Sequence, residues 1–184
     1  MRVRKRLAIE TARFVLENNP DAVTESGAID PLKIAEAYGI EVRFFKLEEN
    51  LSGFMLMEDG RAMIGVNTGD GPKRQRYTLG HELAHYFLHD RSEPFLDSRT
   101  AHVQIIPRNE VSSKGVDSRE IEANIFAAEL LMPEDRLREQ VEALGRLGLF
   151  DEQDDEIKQL SDRFQVSVRA MTIRLERLGY LEGV

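Results

Sequence analysis

The stretch Tyr77–Asp90, YTLGHELAHYFLHD, constrains this chain more than any other. Inside it stands His81-Glu82-Leu83-Ala84-His85, an HExxH pattern. On an α-helix, residues four apart are offset by about 40° around the axis and about 6 Å along it. His81 and His85 therefore share a face, one turn apart, where two imidazoles can grip one ion. Glu82 is rotated about 100° from His81, which sets its carboxylate beside such an ion and within reach of a water there. Metal-assisted hydrolysis needs this division: two neutral nitrogens hold a zinc, and one carboxylate takes a proton from the water. Three fixed residues also arise by chance in helices rich in Glu and His, so the surroundings decide. Leu83, Ala84, Phe87 and Leu88 make the helix apolar and fit for burial, and inward-facing histidines need a partner. Gly80 is the only Gly or Pro in Arg74–Asp90.

Composition narrows the setting. The 184 residues suffice for one compact domain with at most a small appendage. No cysteine is present, which excludes disulfides and thiolate metal ligands. A net charge of −8 argues against broad affinity for nucleic acid or acidic membranes. No apolar run approaches the ~20 residues of a membrane span. The N-terminal MRVRKRLAIE is basic but lacks the apolar core of a leader. The expectation is a soluble cytoplasmic protein with no membrane partner.

Apolar spacing predicts a helix over Val3–Asn19, stopped by Pro20. The cluster Arg2, Arg4, Lys5 and Arg6 on it reads as a solvated face. Asp30-Pro31 opens a short helix, Leu32–Tyr38, closed by Gly39. The period then changes to that of strands: Ile40–Lys46, Leu51–Met57 and Arg61–Asn67. The last two are joined by Met57-Glu58-Asp59-Gly60, a hairpin signal. A small antiparallel sheet is expected ahead of the motif helix. Arg91–Asp117 reads as a long loop, with Val103–Ile106 packing down or forming a short strand. Helices follow at Arg119–Leu131, Glu134–Leu144, Ile157–Phe164 and Ser167–Leu178, the last stopped by Gly179.

A catalytic zinc takes three protein ligands and keeps one position for water. His89 continues the series, but two turns from His81 it lies about 12 Å along the axis. It reads as a packing or hydrogen-bonding residue at the helix end. His102, in the long loop, stays open as a ligand. On the next apolar helix Glu120 and Asn124 share a face, whereas Glu122 and Glu129 fall on others. Glu120 either completes a His-His-Glu site or is a solvated acid at a helix start, and spacing leaves both open. Asn124, one turn on, is placed to accept a hydrogen bond from the non-ligating N–H of a zinc histidine.

Two linked stretches carry a family likeness. HELAHYFLH, followed by EIEANIFAAELLMP at Glu120–Pro133, resembles the ImmA/IrrE family of zinc metallo-endopeptidases. The ending FQVSVRAMTIRLERLGYL is similar to that family's as well, so the likeness runs over roughly Arg76–Leu181. It implies an α+β, zincin-like fold: a small antiparallel sheet packed on the HExxH helix, then a helical C-terminal region. It divides the chain into a metallopeptidase domain, 1–150, and a helix-turn-helix-like pair, 151–184. It implies His81, His85 and Glu120 as Zn2+ ligands and Glu82 as catalytic acid/base, with Asn124 bracing a histidine. It also implies the substrate, a helix-turn-helix repressor cut in a stress response or mobile-element switch. Apart from that likeness, Tyr77, Tyr86 and His102 are candidate oxyanion donors, with Tyr77 and Tyr86 read more readily as packing residues. Arg61–Asn67 is the expected sheet edge for a substrate strand.

The competing reading is a metal-stabilised regulator that binds DNA or a partner without catalysis. Arg169, Arg174 and Arg177 lie on the helix after the tight turn Phe164–Ser167. Glu176 interrupts that basic face, and its apolar residues suit packing, so direct nucleic-acid contact is disfavoured.

Overall fold

A computed structural model describes residues 3–89, 118–144 and 155–181. Helix α1 (Lys5–Glu17) leads through a single 3-10 turn (Pro20–Ala22) to α2 (Pro31–Ala37). Strands β1 (Glu41–Phe45), β2 (Gly53–Glu58) and β3 (Arg61–Asn67) follow. Then come α3 (Pro72–Leu88), α4 (Ser118–Leu131), α5 (Glu134–Ala143), α6 (Asp155–Arg163) and α7 (Val168–Leu178). The fold is α+β, as expected, with three strands against a majority of helix. No described helix is long and apolar enough to cross a membrane.

Local chemistry explains the boundaries. Asp30 caps α2 by accepting from the Leu32 amide at 3.0 Å, with Pro31 at the first helical position. Asp59 (φ 49°) and Gly60 (φ 77°) supply the two left-handed residues that a tight hairpin turn requires. Ser167 caps α7 by accepting from the Ala170 amide, and left-handed Gly179 ends it. The motif helix starts at Pro72, a proline at its first position.

Sheet order departs from expectation. The strands run β1-β3-β2, with β2 antiparallel to β3 but β1 parallel to it. The sheet is therefore mixed, and β3 is central rather than an edge. Burial explains the choice: Ala62, Ile64, Gly65, Val66 and Asn67 are all buried, the pattern of a strand covered on both faces. The connection from β1 to β2 spans the slot that β3 fills. Asn67 holds it there, its Oδ1 accepting from the Leu47 amide and its Nδ2 donating to the Leu51 and Glu48 carbonyls.

Two apolar cores meet on α4. One joins Ala8, Ala12 and Val15 of α1 to Ile64, Val66, Leu79, Leu83, Ala123, Phe126 and Leu130. The other joins Ala127, Leu131 and Met132 to Leu137, Ile157, Leu160, Phe164, Met171 and Leu175. Alternate faces of α4 serve alternate cores. Its charged residues are drawn in as well. Glu129 is 1% exposed and pairs with Arg13 of α1 at 2.9 Å and with Arg174 of α7. Arg174 also donates to the Met132 carbonyl. Arg4 is not merely solvated: its guanidinium meets buried Glu122 at 2.7 Å.

Candidate metal centre

The motif helix α3 lies between the sheet and α4, buried from Tyr77 through His85. Its apolar side chains fix its rotation. With Leu83 and Ala84 in the first core, the ring nitrogens of His81 and His85 face the start of α4. His81 Nε2 stands 3.1 Å from His85 Nε2 and 3.1 Å from Glu120 Oε2. His85 Nε2 stands 3.4 Å from Glu120 Oε1. Among the described residues these three are the donors that come together, the histidines buried and Glu120 partly open to solvent. Oxygen and nitrogen ligands held roughly 2.0–2.2 Å from a tetrahedral zinc stand about 3.3 Å apart. The separations of the two ring nitrogens and the Glu120 carboxylate oxygens lie close to that spacing.

The electrostatics agree with the geometry. Burial pushes the His85 pKa far below the ordinary histidine value, and His81, His89 and Arg119 push it further. His85 is thus a neutral imidazole, the form that binds a metal. Glu120 Oε1 is buried without a hydrogen bond among the described residues. Two ring nitrogens and a carboxylate facing one space suit a cation between them.

Glu82 is 2% exposed and faces the start of β2. A Cβ built on Gly53 would lie 3.5 Å from Glu82 Oε1 and collide with the Thr78 side chain and the Gly65 carbonyl, the latter at 2.9 Å. Only glycine lets β2 and α3 approach this closely. Asn124 sits one turn beyond Glu120, where its Oδ1 accepts from the Tyr77 hydroxyl at 3.2 Å. At His85 it is His89 that meets the Nδ1, at 3.0 Å. His89 caps the end of α3 and also reaches Glu122, as a helix-end hydrogen-bonding residue. The sequence offered one signal for this, the i+4 step from His85 to His89. Tyr86 packs edge-on against Phe87, ring centroids 5.1 Å apart. His102 and the segment Arg91–Asp117 lie outside the described residues.

Comparison with known proteins decides the family. Residues 35–176 match the model of the IrrE N-terminal-like domain, Peptidase M78. The chain belongs to this family. The ImmA/IrrE likeness read from HELAHYFLH and EIEANIFAAELLMP is borne out, and the match takes in β1 through most of α7. The chain is also 30% identical over 106 residues to "Uncharacterized immunity region protein 2" of Bacillus phage phi105. That stretch covers 57% of this chain and 60% of the phage protein, so the chain spans less than two thirds of that relative.

Proposed function

We propose that the chain is a zinc-dependent endopeptidase. His81, His85 and Glu120 would hold the ion, and Glu82 would act as acid and base. The observation that carries this is the set of three donor side chains, with ring nitrogens and carboxylate oxygens 3.1, 3.1 and 3.4 Å apart, beside a buried glutamate on the helix of the two histidines. Zinc, when bound, polarises a peptide carbonyl and acidifies water at its open position. The chain's own residues do the rest. Glu82 takes the proton from the attacking water and passes it to the leaving amine. Neutral His85 offers the ion a ring nitrogen and no charge of its own.

β2, not β3, is the strand beside Glu82 with a side unpaired among the described residues. A substrate strand would add there, its backbone completing the ladder. Its source, by the family likeness, would be a helix-turn-helix repressor. The regulator reading is the weaker one. Arg174, part of the basic face it needs, is turned inward on Glu129.

Metal analysis of the purified protein tests the site. One zinc per chain is expected, and Glu120→Ala should hold far less than one. Full zinc in that variant would shift the third ligand to His102.

A further inference from the structure

A chain of hydrogen bonds leaves the donor cluster and ends at the start of α1. We propose that His89, backed by Glu122 and Arg4, is a positioning residue that fixes the tautomer of His85 and strengthens its ligating nitrogen. The proposal rests on the reading of His85 as a metal ligand.

Proton bookkeeping leads to it. His85 Nδ1 and His89 Nδ1 are 3.0 Å apart, so one must donate and the other accept. His85 turns its Nε2 toward His81 and Glu120. If His85 Nδ1 donates, its Nε2 is bare for an ion. His89 Nδ1 then accepts, and the proton of His89 sits on Nε2. That nitrogen lies 3.3 Å from Glu122 Oε2, a carboxylate ready to receive it. Every donor faces an acceptor. The opposite assignment sets the bare Nε2 of His89 against a carboxylate, and it leaves a proton on His85 Nε2, the nitrogen that the metal reading needs free.

Glu122 is held in turn. Its Oε1 accepts from the Arg4 backbone amide at 2.7 Å, and its Oε2 from Arg4 Nη2 at 2.7 Å. Arg4 Nη2 also reaches the Leu88 carbonyl at 3.3 Å, tying α1 to the end of α3. Side chains of His89 and Glu122 are 4% and 1% exposed, so water does not compete for these bonds.

The arrangement lengthens a familiar device. Metal histidines commonly donate their free N–H to a carboxylate, which orients the ring and raises its basicity. Here a second imidazole stands between ring and carboxylate. Loss of such a partner typically costs about 10–100-fold in metal affinity.

Zinc affinity, read by competition with a chromophoric chelator, tests the proposal alongside melting of the metal-free protein. His89→Ala should bind zinc about 10–100-fold more weakly with little change in metal-free melting. His89→Gln, which restores an acceptor, should recover part of the loss. Nitrogen-15 spectra of the zinc-bound wild type should show a slowly exchanging His85 Nδ1 proton that is lost in His89→Ala. If His89→Ala does not fold, Glu122→Gln decides, since it keeps shape and removes the charge; weaker zinc binding supports the relay. A folded variant of either kind with wild-type affinity and an unchanged His85 proton overturns it. Failure of the wild type itself to bind one zinc would instead overturn the metal reading beneath it.

Discussion

Glu82 carries the chemistry in this reading, and its environment limits the experiment to one clean substitution. At 2% exposure a larger or smaller side chain would disturb the contact of α3 with Gly53. Glu82→Gln keeps the volume and removes the base. Cleavage should fall by at least about 10²-fold while zinc content stays at wild-type level. Unchanged turnover would remove Glu82 from the mechanism. At this scale the sequence was half legible. His81, Glu82 and His85 announce themselves because helical period alone puts them together. Glu120 needed the companion motif, since its spacing equally fits a solvated acid. Arg4 with Glu122 and Arg13 with Glu129 left no trace, because partners more than a hundred residues apart carry no local pattern.

Among the elements, the sheet shows where local signals end. Asp59-Gly60 revealed the β2–β3 hairpin, because the left-handed turn is a property of two adjacent residues. The parallel pairing of β1 with β3 was hidden, because it depends on which strand is buried on both faces. Recognising β3 as central moves the proposed substrate flank to β2. Peptide substrates methylated at successive backbone nitrogens should then show an alternating pattern, every second methyl group lowering kcat/KM by about tenfold or more. One interstrand hydrogen bond plus the steric clash warrants that size. Uniform tolerance along the peptide would exclude strand addition.

The whole molecule depends on α4, which belongs to both cores and carries Glu120, Glu122 and Glu129. Tyr77 joins α3 to this helix through Asn124, and burial pushes its pKa up to about 12. A phenol so placed favours folding below its unfolded pKa near 10, and that contribution is lost as pH rises through about 12. Urea unfolding of Tyr77→Phe should therefore show a shallower loss of stability between pH 10 and 12 than the wild type, the difference reaching roughly 2–3 kcal/mol. Identical slopes would show that Tyr77 ionises as easily folded as unfolded. The position of α4 has one more consequence. A rod held jointly by both halves of the interior cannot relax at one end alone. Chelation of zinc should hasten amide exchange not only around His81 but along α7, where Leu175 lies in the second core. The ion then acts as a keystone for helices it never touches.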